Sequence, residues 1–320
     1  MPPARPAAVL GEALVDLLEQ PGGALLPMVG GAPLNVAVGL ARLGTPARLI
    51  TAVGSDAFGD RIRDLLTASD VDTSGVAVVP GPTPLAVATF RGAEPSFAFY
   101  GDPPAYAHVT SSDVDLAGIA SAPVIYAGSI ALATPMFDAV RAAWAIPGPV
   151  RVLDPNLRPF IMADPTASVR VQRRVEELAS TADLVKLSDA DARLLYGPIS
   201  PTAAALRLRA LGARSVMVTL GAAGATLLRP DRGQRPPELL DTVLHRTDRV
   251  YALPARPGPV VDTTGCGDSV TAAMMHRLAR GLADDDGEWL EALEFALKVA
   301  AHVAARPGGA TAMPYAREVL

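Results

Sequence analysis

Short apolar runs alternate with longer amphipathic stretches along this chain. AAVLG (7–11), ARLITAV (47–53), PVIYAG (123–128), VRVLD (150–154), ADLVKL (182–187) and RSVMVTL (214–220) predict buried strands. Each is a continuous apolar run rather than a strict alternation, as expected of a sheet covered on both faces. LNVAVGLARLG (34–44), FGDRIRDLLTASD (58–70), PMFDAVRAAWA (135–145), SVRVQRRVEELAST (168–181) and PTAAALRLRALG (201–212) predict helices, with Gly44 and Gly212 as stop signals at two of the ends. Strands and helices alternating in this way predict an α/β fold with a mostly parallel sheet. Two stretches break the rhythm. Residues 12–33 are rich in Gly and Pro, and 76–108 look like β-ribbon, so the two together predict a small sheet covering a cleft. Residues 229–237 (RPDRGQRPP) predict a surface loop.

The 320 residues, 50% of them hydrophobic, are enough for one large core, and no internal repeat divides them. The net charge of −5, with acids and bases interspersed, does not fit a nucleic-acid-binding surface. Lys186 and Lys298 are the only lysines; the other basic residues are arginine. One cysteine, Cys266, excludes an internal disulfide framework and fits a reducing cytoplasm. No uncharged apolar run has the length of a bilayer span, and the N-terminus makes a poor signal peptide.

The candidate chemistry centres on DTTGCGDS (262–269), which precedes an apolar helical stretch. Glycines at 265 and 267 allow a sharp turn that aims backbone N–H groups at an anion, and the helix adds the positive end of its dipole. An acid there, Asp268, is placed to take a proton from a hydroxyl while those N–H groups hold charge on a phosphoryl group. The combination points to phosphoryl transfer to an alcohol. A second motif, GGAPLNVAVGLARLG (30–44), has Gly30 and Gly31 for close backbone approach and Asn35 opening the next helix. Asn35 suits sugar hydroxyls, and it equally suits an ordinary helix cap. GCGDSV lacks the third glycine of a dinucleotide fingerprint and lies far from the first strand; no G-x-x-x-x-G-K-[ST] occurs. His108, His245, His276 and His302 are isolated, and the one cysteine has no partner, which argues against zinc.

Together the two motifs resemble the signatures of the ribokinase-like (PfkB) carbohydrate kinases. GEALVDL (11–17), DPNLRP (154–159) and TLGAAGA (219–225) agree, so that the resemblance runs from residue 9 to about 314. GEALVDL, the 30–44 motif and VKLSDAD (185–191) are most similar to the fructokinase branch. The resemblance implies a three-layer α/β/α sandwich forming one kinase domain over 1–320, with a β lid built from about 12–33 and 76–108. It implies transfer of the γ-phosphate of ATP to a sugar hydroxyl, with Mg²⁺ on the phosphates. Fructose leads among the sugars, followed by 2-keto-3-deoxygluconate, ribose and nucleosides. A non-catalytic sugar-binding regulator is the reading from a different class.

By the same resemblance Asp268 is the base, and Gly265, Cys266 and Gly267 supply the anion hole. Cys266 stands where the family usually has Ala. A backbone N–H serves with either, and a thiol near a helix N-terminus is expected to have a lowered pKa. Asp16, Gly31 and Asn35 hold sugar hydroxyls. Arg158 meets the phosphoryl group or sugar, or instead pairs with a nearby acid. Asp154 and Asn156 fall at the end of a strand, where α/β ligand sites lie. Lys186 and Asp189 fall in the stretch organising nucleotide phosphate and Mg²⁺. Thr219, Gly221 and Gly224 match the nucleotide loop or make a plain hairpin turn. Backbone carbonyls near Asp262, Thr264 and Gly308 are the ligands for a monovalent cation, K⁺ foremost; Ala312 replaces a frequent Ser there. In FAFYGDPPAYAH (97–108), Gly101 takes the place of a frequent Arg; Phe99, Tyr100 and Tyr106 either line the sugar pocket or pack the lid. A homodimer through the lid is also compatible with the family.

Overall fold

The computed structural model describes residues 4–20, 22–91, 94–230, 248–281 and 285–320. In chain order its elements are β1 (Ala7–Leu10), β2 (Leu14–Glu19), β3 (Leu25–Gly30), α1 (Ala32–Arg42), β4 (Ala47–Gly54), α2 (Ala57–Ala68), β5 (Val76–Val79), β6 (Leu85–Arg91) and β7 (Glu94–Tyr100). There follow α3 (Leu116–Ser121), β8 (Val124–Gly128), α4 (Phe137–Trp144), β9 (Val150–Asp154), α5 (Pro165–Ala179), β10 (Leu184–Ser188), α6 (Asp189–Tyr196) and α7 (Pro201–Leu211). The chain ends with β11 (Val216–Thr219), β12 (Ala225–Pro230), β13 (Asp248–Leu253), α8 (Cys266–Ala279), α9 (Asp286–Ala304) and α10 (Ala316–Val319).

Nine strands form one sheet in the order β13-β12-β11-β10-β9-β8-β1-β4-β5. The run from β5 to β11 is parallel; β12 and β13 add an antiparallel edge. Alternate residues of β1 show why that strand is apolar throughout. Ala8 and Leu10 pack with α3 to α7 on one face, whereas Ala7 and Val9 pack with α1, α2, α8 and α9 on the other. A strand buried on both sides leaves no position for a polar residue to reach water. The result is a three-layer α/β/α sandwich. The second sheet, in the order β3-β2-β6-β7, is the small one foreseen in 12–33 and 76–108.

Three expectations change in detail. Residues 76–79 do not join the small sheet: β5 is the edge of the large one, parallel to β4, with Thr51 opposite Val76. The run β4-α2-β5 is a βαβ unit, and the helix at 57–68 is what separates 76–79 from the ribbon. Helix α1 starts at Ala32 with Pro33 in its first turn, so Asn35 lies inside that turn and Gly31 is the N-cap. The loop expected over 229–237 lies outside the described residues from 231 onward; Arg229 and Pro230 end β12.

The order of the strands reverses about β1, which has β8 on one side and β4 on the other. Ligand crevices of open parallel sheets form at such a point, beyond the carboxyl ends of the strands. The residues following β1, β8, β9, β10 and β11 therefore converge with the N-terminus of α8.

Candidate active site

Asp268 sits in the first turn of α8 and is only 5% exposed. Its Oδ2 accepts the amide Nδ2–H of Asn35 at 2.7 Å, and its Oδ1 accepts that of Asn156 at 2.8 Å. Two neutral donors thus orient the carboxylate without pairing it to a cation, and each oxygen keeps a second lone pair. Capping does not account for Asn35, since α1 has no side-chain cap and the amide crosses to another helix. The N-cap of α8, Gly265, is left-handed at φ 78°, and a Cβ there would lie 2.8 Å from the Cα of Gly309. The N–H groups of Gly267 and Asp268 lie in the first turn, where no carbonyl four residues back belongs to the helix. That of Cys266 donates instead to the Thr263 carbonyl at 3.2 Å, so it is engaged in the turn.

Behind this helix end lies a buried ion pair. Lys186 Nζ, 3% exposed, donates to Asp154 Oδ2 at 3.0 Å, and Thr271 Oγ1 donates to the same oxygen at 2.8 Å. A Cβ added to Gly267 would lie 3.0 Å from that Nζ, so the ammonium is directly beneath the α8 N–H groups. Burial lifts Asp154 to about 6, with Lys186 pulling it back and Asp191 and Asp268 pushing it up. For Lys186, burial works against the charge, but Asp154, Asp191 and Asp268 outweigh it and hold the pKa above the ordinary lysine value.

At the small-sheet end, Asp16 on β2 is paired with Met28 on β3 and leans over the diagonal neighbour Gly30, where a Cβ would come within 2.5 Å of Oδ2; the missing side chain leaves the carboxylate its place. Gly31 packs as closely, since a Cβ there would lie 2.7 Å from the Glu12 carbonyl oxygen. Burial raises Asp16 to about 6; Arg158 opposes the shift and Asp268 reinforces it, which places the three in one electrostatic neighbourhood. Arg158 itself is exposed, and among the described residues it forms no salt bridge. The Phe99 and Phe160 rings, 4.0 Å apart, tie β7 to the segment carrying Arg158. Tyr100 is 58% exposed, whereas Tyr106 is buried in the core and serves packing.

Thr219 ends β11, and the turn after it is closed by Leu220 N–H donating to the Gly224 carbonyl at 2.8 Å. Gly224, at φ 96°, is required by the fold: a Cβ would lie 2.0 Å from the Leu253 carbonyl oxygen. Gly221 at φ 56° has nothing within 4 Å of the same position and borders open space. Asp262 joins two turns, accepting Thr264 N–H at 2.8 Å and Gly308 N–H at 2.9 Å. Burial works against its ionised form, but those two N–H groups outweigh it and hold the pKa below the usual carboxylate range.

One expectation is corrected here. Burial, together with Asp262 and Asp268, pushes the Cys266 thiol up to about 11, so desolvation and two carboxylates override the helix terminus. Asp189 is half-buried and pairs with Arg193 at 2.8 Å. The inward acid is Asp191, which accepts Leu157 N–H at 2.7 Å and caps α6 through Ser188, tying the Asn156–Arg158 segment to β10. Sequence reasoning overlooked Asp191 and Thr271. It also missed the partnership of Asn156 with Asp268, for which DPNLRP was the available signal.

Residues 23–316 match the model of the pfkB family carbohydrate kinases. The chain belongs to that family, and is therefore a phosphotransferase that acts on a sugar hydroxyl. It is 32% identical to the fructokinase of Klebsiella pneumoniae over 316 residues, 96% of this chain and 95% of that one. The structure superposes with a TM-score of 0.82 on the ATP-bound fructokinase of Xylella fastidiosa, at 28% identity over 99% of this chain and 97% of the other. The Vibrio cholerae O395 fructokinase, solved with fructose, ADP and calcium ion, gives 0.81 at 27% identity, covering 99% of both chains. The fold is ribokinase-like, as these neighbours show.

Proposed function

We propose that this chain transfers the γ-phosphate of ATP to a hydroxyl of free fructose, working as one kinase domain with the β3-β2-β6-β7 sheet as its lid. The observation that carries the reading is the carboxylate of Asp268, oriented by two amides at the end of α8 with Lys186 beneath it. Fructose is favoured by the fructokinases among the relatives and by the absence of an arginine after Tyr100 to meet an acidic sugar.

Asp16 and Asn35 hold sugar hydroxyls, and a free lone pair of Asp268 takes the proton of the reacting one. The sugar oxygen attacks phosphorus in line. Charge on the phosphoryl oxygens is met by the N–H groups of Gly265 and Gly267, with Lys186 behind them and Arg158 from the open side. The Cys266 N–H joins them only if its turn to Thr263 opens. Thr219, Gly221 and Gly224 border the space that suits the nucleotide. Mg²⁺, carried on ATP phosphates, would supply charge neutralisation. Among the described residues no group of three His, Cys, Asp or Glu is placed to hold a metal, which fits an ion held by phosphates and water. The carbonyls at Asp262, Thr264 and Gly308 would be the ligands of a K⁺ ion, in two turns that the Asp262 side chain holds through the N–H groups of Thr264 and Gly308. Exposed Leu25 and Leu26 on the lid edge support a homodimer through that sheet. Among the described residues no helix is long and apolar enough to cross a membrane.

The test is ADP release with ATP, Mg²⁺ and K⁺ across free sugars, sugar acids and nucleosides. Release with fructose that disappears in Asp268→Asn supports the reading. Tight fructose binding by calorimetry without release with any acceptor would establish a regulator instead.

Asp16 gives the sugar site a pH dependence. The ionised carboxylate accepts a sugar hydroxyl far more strongly than the protonated group does, and in the free protein burial has raised its pKa to about 6. Fructose affinity is therefore expected to be flat above about pH 7 and to weaken by up to about tenfold per pH unit below about pH 6. Calorimetric Kd values across this range check it; Asp16→Asn should bind weakly and lose the dependence.

A further inference from the structure

Two residues beside the site hold left-handed backbone without being glycine: Ser129, just after β8, at φ 58°, and Asn156, just after β9, at φ 41°. Such conformations are disfavoured for side-chain-bearing residues and persist where the surroundings over-determine them. The surroundings here form one connected path. Ser129 Oγ donates to Glu12 Oε1 at 2.6 Å, with both residues buried. The N–H of Ser129 donates to the carbonyl of Pro155 at 3.1 Å, the peptide that leads into Asn156. The Asn156 amide then holds Asp268 at 2.8 Å. Glu12 is itself fixed from behind, because its own carbonyl lies under Gly31.

Stability alone is a poor account of Glu12. It is 1% exposed, its Oε2 has no partner among the described residues, and Arg158, the cation whose charge it feels, forms no salt bridge with it. Burial raises its pKa to about 7 against the pull of the Ser129 hydroxyl. A buried carboxylate with an unpaired oxygen opposes folding relative to an apolar residue of similar size.

We propose that Glu12 is a positioning residue for phosphoryl transfer: through the Ser129 hydroxyl it fixes the 154–156 turn and so aims the Asn156 amide at Asp268. The proposal rests on the reading of Asp268 as the base. The relay depends on an acceptor at Oε1 rather than on negative charge, which makes it separable from electrostatic and packing roles.

The experiment is steady-state kinetics with saturating ATP, giving kcat and the sugar KM for Glu12→Gln, Glu12→Ala, Ser129→Ala, Asn156→Ala and the Glu12→Ala/Asn156→Ala double variant. Glu12→Gln retains the acceptor and is expected within about threefold of the parent kcat, whereas Glu12→Ala and Ser129→Ala should fall about ten- to a hundredfold with KM changed by less than about threefold. The double variant should be no slower than Asn156→Ala alone, because both changes cut one path. Should Glu12→Ala fail to fold, Ser129→Ala removes only the hydroxyl and decides the matter by the same kcat criterion. Multiplicative losses in the double variant, Glu12→Gln as slow as Glu12→Ala, or Ser129→Ala at parental kcat would each overturn the relay. Asp268→Asn with parental turnover would overturn the underlying assignment; a dead Asp268→Asn beside a fully active Glu12→Ala would overturn the relay alone.

Discussion

Asp268→Asn is expected to lower kcat by about two to four powers of ten while leaving fructose binding close to parental, as for loss of a general base. The substitution is a clean one because of its neighbours. An amide in place of the carboxylate turns one acceptor into a donor, facing either Asn35 or Asn156. The Oδ1 of Asn35 is buried and has no partner among the described residues, so a flip of that amide turns an acceptor toward the new donor. The number of hydrogen bonds is then kept, and the stability change should stay within about 1 kcal/mol. ADP release under saturating substrates, calorimetry with fructose and thermal unfolding together check the three parts. Turnover within tenfold of the parent would remove Asp268 from the role of base, and a collapse of fructose binding would show that it holds the substrate instead.

The backbone was largely legible in the sequence because the sheet is buried on both sides. Runs such as PVIYAG are apolar along their length, VRVLD departs from this only at Arg151 and at the site residue Asp154, and the amphipathic stretches between them have one apolar face. The edge was harder. The VAVV of β5 has the same composition as a lid strand, and only its pairing with β4 assigns it to the large sheet. The site divided along a similar line. Asp268 stood out because two glycines and an apolar helical stretch surround it locally, whereas Asp16 came only from the resemblance to the family. The amide clamp was not legible, since it joins Asn35 and Asn156 to a residue 233 and 112 positions away. Within VKLSDAD, sequence alone does not say which acid turns inward. In the structure the capping box at Ser188 turns Asp191 toward the Leu157 N–H, while Asp189 pairs with Arg193 on the helix. Cys266 shows a local rule overridden by its surroundings: the helix terminus favours a thiolate, and burial with two carboxylates reverses it.

The largest effect on stability is expected at Asp154. Asp154→Ala removes the direct partner of Lys186 and should destabilise by about 3–5 kcal/mol, the range for leaving one member of a buried pair uncompensated. Urea unfolding at neutral pH measures it, and a loss under about 1 kcal/mol would show that water or another group already solvates the ammonium. The two single variants are not equivalent. Without Lys186, Asp154 escapes most of the penalty by taking a proton, since burial already holds its pKa at about 6. Without Asp154, Lys186 loses the strongest of the carboxylates that offset its burial and keeps only the weaker pull of Asp191 and Asp268, so the ammonium is left undercompensated. Lys186→Met should accordingly cost less than Asp154→Ala, and the double variant should recover most of the stability lost in the latter. Recovery of kcat is not expected with it. The ammonium lies beneath Gly267, at the helix end assigned to the phosphoryl group, and an apolar pair there leaves the fold intact while removing the charge that the chemistry uses.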